Sequence, residues 1–460
     1  MRREKDKIGE ISLPEDTLYG IQTARAADNF PVSGRFVNLR LIYAIATVKK
    51  AAAMTHSSLK LMEEKKAGAI IRACDMILEG KADNAFITDV LQGGAGTSTN
   101  MNVNEVVANL ALQILGIKPG EYSVLNPLDD VNRGQSTNDV YPTALRIVSI
   151  QMVRELSDEC ARLQESLQKK EQEFADILKL GRTELMDAVP ITLGQEFGSY
   201  AQAIARDRWR IYKVEERLRQ VNLGGTAVGT GTNANRKYAY KVIDMLRELT
   251  GIGLARAEYP MDLTQNNDVF VEVSGLLKAL AVNLMKISTD LRLMNSGPNG
   301  GLGEITLKEM QAGSTIMPGK VNPVIPEMTT QAALRVMAND MAVSMATANG
   351  NFELNAFMPL IADSLLESLS LLTNTVSIFR LKCIEVLTAN RENCMAHLNR
   401  SLVMVTMLTP YLGYEKAAEI LAGCENDPKK IKEIVLQKGL LDEETLDRLL
   451  SYRNEITYIK

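Results

Sequence analysis

Residues 269–294 read VFVEVSGLLKALAVNLMKISTDLRLM. Wound at 3.6 residues per turn, this stretch is apolar over most of its circumference, so it is a helix that must be covered on several sides. At 1.5 Å per residue it is roughly 40 Å long, against a mean helix of about 11–12 residues in globular proteins. A helix of that length and character needs neighbours along its whole extent. They come from the same chain or from other subunits.

Four more long helical patterns share the chain with it, over 143–180, 194–220, 327–348 and 360–390. Together they predict a mostly α fold built on a long helical bundle whose core is completed by oligomerisation. Residues 1–37 carry scattered turn signals such as LPED and FPVSG and read as an irregular entry. From 38 to 115 the pattern is helical, broken near Gly80 and again at 93–96, and 117–142 is loop-like. After 396 the helices shorten and end in the charged, amphipathic run LLDEETLDRLLSYRNEITYIK. The division expected is an N-terminal domain over 1–141, a long-helix domain over 142–395 and a small helical domain over 396–460.

The chain has 460 residues, 46% of them hydrophobic, which supports a large core and excludes global disorder. A net charge of −4 with mixed signs leaves no basic footprint for nucleic acid. No run reaches the roughly 18 apolar residues of a spanning helix, and the N-terminal MRREKDKIGEIS is not followed by the apolar segment of a signal peptide. Five scattered cysteines without a CxxC fit a reducing cytoplasm better than a disulfide framework or structural zinc. There are just two histidines, His56 and His397, although histidine is the commonest general base.

Polar chemistry is confined to four breaks between helices. The first, GGAGTSTNMNVNE at 93–105, offers Thr97 behind a glycine-rich bend. The second, GQSTNDVYPT at 134–143, places Ser136, Thr137 and Asn138 before a long helix, where free backbone N–H groups favour an anion. The third, LGRTELMDAVPITLGQEF at 180–197, is read as a loop carrying Thr183, Glu184 and Asp187. The fourth is GSTIMPGKVNP at 313–323. It is not a P-loop: five residues, not four, separate Gly313 from Gly319, and Val321 rather than Ser or Thr follows Lys320. Read singly, each break is also an ordinary capped helix start or connecting loop. Read together they supply hydroxyl and amide donors and one lysine, with no metal cluster and no nucleophilic cysteine. That set suits a small multiply oxygenated anion such as a dicarboxylate, and it suits neither a hydrolase triad nor a metallohydrolase.

GSTIMPGKVNP closely resembles the signature loop of the aspartase/fumarase superfamily, G-S-S-x-M-P-x-K-x-N-P. GGAGTSTNMNVNE, QSTNDVYPT, GRTELMDAVPITLGQEF and VNLGGTAVGTGTN resemble the superfamily's other blocks in the same order, so the resemblance covers nearly the whole chain. The flank VNPVIPE is similar to the aspartase branch rather than the fumarase branch. The resemblance implies a three-domain, mostly helical subunit, a homotetramer with a twenty-helix core, and active sites each assembled from three subunits. The implied reaction is reversible elimination of ammonia from L-aspartate to fumarate, with no cofactor and no metal.

By residue-to-residue match, Ser314 is the base, while Thr97, Ser136, Thr137 and Asn138 hold the β-carboxylate and amino group. Lys320 and Asn322 hold the α-carboxylate, with Thr183 nearby. Two positions depart from the pattern. Thr315 replaces a second serine and keeps its hydroxyl. Glu184 stands where fumarases and some aspartases have His and other aspartases Gln; the superfamily pairs this position with the glutamate matching Glu327, and such a carboxylate pair would share a proton. The alternatives are a class II fumarate hydratase, a lyase of another amino or N-substituted dicarboxylate, or a catalytically inert helical assembly protein.

Overall fold

The computed structural model describes residues 1–450; the last ten residues of the amphipathic run, 451–460, lie outside the described residues. Nine helices matter here: α1 (Leu39–Ser58), α2 (Glu64–Leu78), α3 (Thr97–Ile114), α4 (Thr137–Glu173), α5 (Leu193–Leu218), α6 (Arg236–Thr250), α7 (Asp268–Met294), α8 (Val324–Ala348) and α9 (Met358–Phe379). Five of them, α4, α5, α7, α8 and α9, are the expected long helices, within a few residues at most ends. Three ends differ more: α9 stops at Phe379, followed by a separate turn over Arg380–Ile384, and α4 begins at Thr137, six residues early, and ends at Glu173, seven residues short of the expected 180. The stretch read as an irregular entry holds a hairpin, Arg2–Lys5 with Glu10–Leu13, and the helix Ile21–Asn29. Among the described residues no helix is long and apolar enough to cross a membrane.

The chain divides into two compact units. The first comprises Met1–Ser157, Trp209–Ala281 and Leu334–Thr373. Within it α1 packs on α2 and α6, and α2 packs on α3. Buried Ala44, Ala46, Ala51, Ala52 and Ala53 keep α1 narrow enough for that close approach. Asn38 caps α1 by accepting from the Arg40 N–H at 2.9 Å. Every residue of α3 from Thr99 to Leu112 is buried, including six polar ones (Thr99, Asn100, Asn102, Asn104, Glu105 and Asn109) that must find partners. Glu105, for instance, accepts from the N–H groups of Gly20 (2.8 Å), Gln22 (2.8 Å) and Thr23 (3.1 Å), which ties the helix Ile21–Asn29 to α3.

The second unit comprises Asp158–Arg208, Val282–Ala333 and the chain from Asn374. It contains the hairpin of β1 (Leu178–Thr183) and β2 (Met186–Thr192), which replaces the loop expected over 180–197. Its two-residue turn is Glu184–Leu185, with φ of +53° and +66°, the left-handed geometry of a type I′ turn without the usual Asn-Gly. The short helices after Ser401 gather around Val405, Leu408, Ile420, Val435 and Leu446.

Candidate active site

In the first unit the Gly-rich bend reaches α3 through three positive φ angles, at Gly94, Ala95 and Gly96. Only glycine fits at 96, because a Cβ there would stand 2.4 Å from the Tyr141 ring. The bend delivers Thr97, whose hydroxyl donates to Gly94 O at 2.7 Å.

The start of α4 is a reciprocal cap. Ser136 Oγ accepts from the Asn138 N–H at 3.2 Å, and Asp139 Oδ1 accepts from the Ser136 N–H at 2.9 Å. Asp139 Oδ2 accepts from Gly224 and Thr226 N–H at 3.0 and 2.9 Å, and burial pushes this carboxyl up to about 6. Pro142 lies inside the helix and has no N–H to donate to Asn138 O, four residues back. Asn222 Nδ2 fills the vacancy, donating to Asn138 O at 3.0 Å, and Asn138 Nδ2 donates to Ala227 O at 2.8 Å. A proline that reads as a boundary in the sequence thus fastens the 222–227 loop to α4.

These pieces enclose a cavity of about 370 Å³ that Thr97, Ser136 and Thr137 line together. Asn138 does not line it, since its amide is committed to Ala227. Asn100, a neutral donor of the first break, does, and so do Asn132, Gln135 and Thr226, which sequence reasoning missed. The available signal for Asn132 and Gln135 was their place beside Ser136 in VNRGQSTND, just ahead of α4.

In the second unit the 313–323 loop is cross-linked at its neck. The Gly313 N–H donates to Lys320 O at 2.8 Å and Asn322 Nδ2 donates to Gly313 O at 2.8 Å. A Cβ on Gly313 would lie 2.5 Å from Lys320 O, and Gly319 has a φ of +79°. Ser314 Oγ accepts two backbone N–H groups, from Ile316 at 3.2 Å and Met317 at 2.9 Å. Ser314 and Lys320 line one cavity of about 480 Å³, and Lys320, Asn322 and Glu327 line an adjoining cleft of about 770 Å³. Thr315 is exposed.

Thr183 and Glu184 stand at the exposed hairpin tip and line neither of these cavities. The hairpin's base is buried. Lys179 Nζ lies 2.7 Å from Glu196 and 2.9 Å from Glu304, and Arg182 lies 2.8 Å from Glu304. Burial alone would lower the Lys179 pKa, but the two carboxylates outweigh it and hold it above its ordinary value. Asp187 accepts from the Ser401 hydroxyl at 2.7 Å. Among the described residues no group of three or more His, Cys, Asp or Glu is placed to hold a metal ion.

The geometry can be set beside known proteins. Residues 9–338 match the family described as Lyase, and 404–454 match the Fumarase C C-terminus. The chain belongs to the aspartase/fumarase superfamily. This superfamily member is 43% identical to an aspartate ammonia-lyase from a Bacillus species, over 98% of this chain and 96% of the relative. Its structure resembles a fumarate lyase:delta crystallin from Brucella melitensis bound to cobalt, with TM-score 0.94, 45% identity and 98% of each chain covered. It also resembles a class II fumarase from Schistosoma mansoni, with TM-score 0.93, 34% identity and 98% of each chain covered.

Proposed function

We propose that the protein is an aspartate ammonia-lyase, a carbon–nitrogen lyase that reversibly eliminates ammonia from L-aspartate to give fumarate. The observation that carries this reading is the environment of Ser314. A serine hydroxyl is too weakly acidic to serve as a base unless its alkoxide is stabilised. Two backbone N–H groups already aimed at Oγ supply that stabilisation, as donors do in an oxyanion hole. The alkoxide takes the proton from the carbon beside the β-carboxylate. The electron pair left behind spreads into that carboxylate as an enediolate, then forms the double bond as the C–N bond breaks and ammonia departs.

Thr97, Ser136 and Thr137, with Asn138 behind them, stabilise the enediolate with neutral donors. Lys320 and Asn322 hold the α-carboxylate with Thr183 nearby, and Glu184 serves the amino end, with Thr315 and Glu327 in support. The decisive assay follows fumarate absorbance with L-aspartate and, separately, L-malate. Turnover of L-aspartate is expected; turnover of L-malate alone would overturn the reading in favour of a fumarase. Glu184→Gln is expected to keep kcat/KM for L-aspartate within about tenfold, a cost below about 1.4 kcal/mol. Complete loss would show that the position needs its charge.

The protein works as a homotetramer with composite sites in this reading, and the five buried, unbridged cysteines fit the cytoplasm. The support for assembly is an apolar stripe on α8: Leu334, Ala338, Met341 and Met345 are all exposed and recur at helical spacing. Leu334→Glu combined with Met341→Glu is expected to break the assembly and remove most activity, read by sedimentation and by fumarate production. A wild-type protein that sediments as a fully active monomer would sink the composite site.

A further inference from the structure

Lys49 sits in the middle of α1 with no exposure to solvent. A buried ammonium is costly unless it is hydrogen-bonded, and this one donates to Asn132 Oδ1 at 2.7 Å and Gln135 Oε1 at 3.0 Å. Asn132 Oδ1 also accepts from Asn100 Nδ2 and Asn104 Nδ2, each at 3.2 Å, and Asn132 Nδ2 donates to Gln135 O at 3.2 Å. Asn100 Nδ2 donates onward to Thr137 Oγ1 at 3.0 Å. Four members of this network, Asn100, Asn132, Gln135 and Thr137, line the first unit's cavity. The lining contains no charged side chain, so the cation serving it stands behind the wall.

We infer that Lys49 is a positioning residue for this cavity: its ammonium orients Asn132 and Gln135, and through them Asn100 and Thr137, into a fixed donor cluster for a carboxylate. The ligand class rests on the ammonia-lyase reading; the positioning rests on the hydrogen bonds. A neutral residue at 49 would leave Asn132 and Gln135 without their shared donor and remove the positive potential behind them.

The titratable groups around Lys49 are few. Asp139 of α4 favours its charged form, and the Cys74 thiol of α2, pushed up to about 12 by burial, stays protonated. His56, two turns along α1, stacks on Tyr238 of α6, and burial lowers its pKa. Asn100 and Asn104 of α3 are neutral. Burial outweighs the Asp139 charge and lowers the Lys49 ammonium to about 7. Since the cavity needs the ammonium, affinity for a carboxylate should fall as pH rises through that region.

The test uses the full-length assembled enzyme and succinate, a dicarboxylate that cannot eliminate. Wild-type affinity, measured by calorimetry between pH 6.5 and 8.5, should weaken with rising pH. Lys49→Met should lower affinity about 10- to 100-fold at pH 6.5, flatten the pH profile, and raise KM for L-aspartate more than it lowers kcat. Unchanged affinity and profile in a folded Lys49→Met protein would overturn the inference. If that variant does not fold, Gln135→Leu removes one acceptor, which further disfavours the ammonium and should move the pH break lower; an unmoved break also overturns it. A wild-type enzyme that binds succinate with this pH break but does not convert L-aspartate would defeat the lyase reading and leave Lys49's role standing. An enzyme that converts L-aspartate without the break would do the reverse.

Discussion

Ser314→Ala is expected to lower kcat for L-aspartate about 10²- to 10⁴-fold while leaving succinate affinity nearly unchanged. General-base catalysis by a positioned side chain contributes rate factors of about that size. The split follows from geometry. The loop is held at its neck by the Gly313–Lys320 and Asn322–Gly313 hydrogen bonds, neither of which uses the serine side chain. Alanine therefore leaves the neck intact and removes only the oxygen at which the Ile316 and Met317 N–H groups point. A loss seen equally in kcat and kcat/KM, with succinate binding retained, identifies an interaction made in the transition state. An unaffected kcat would remove Ser314 from the role of base.

What could be read from the sequence was what periodicity and motif order encode. The long helices are legible because apolar residues recur at 3.6 spacing over many turns, and the signature loop because GSTIMPGKVNP resembles the superfamily's pattern, whereas its spacing alone only rejects a P-loop. The β1–β2 hairpin was not legible. Its turn is Glu184–Leu185, which carries no Asn-Gly or Asp-Gly signal, and Pro190 in β2 argues against a strand. The left-handed turn is tolerated because a buried ion-pair network fixes the strands beneath it. Pro142 misled in the same way: it reads as a helix boundary until Asn222 is seen to occupy the carbonyl it leaves free. Lys49 was invisible for a third reason. One lysine in VKKAAAM looks like any solvated charge, and only the fold shows that it is buried while Lys50 reaches Asp75.

The hairpin's ion-pair base leads to the largest stability effect. Lys179→Met is expected to destabilise the protein by about 3–5 kcal/mol, because it strips a buried carboxylate of one partner without removing the carboxylate. Glu304 is fully buried and would retain Arg182 alone, at 2.8 Å, while Glu196 would lose its 2.7 Å contact. Glu304 is also continuous with Gly303 and Ile305, which line the cleft holding Lys320, so the damage extends from the hairpin to the cleft wall. The pH dependence has a definite sign. The folded-state pKa of Lys179 is raised, so its contribution is complete below the ordinary lysine value and is lost as pH climbs through the higher folded value. The wild-type advantage over Lys179→Met, measured by denaturant unfolding, should therefore persist through neutral pH and shrink only in strongly alkaline solution. Equal stability of the two proteins at neutral pH would show that the network does not hold the hairpin in place.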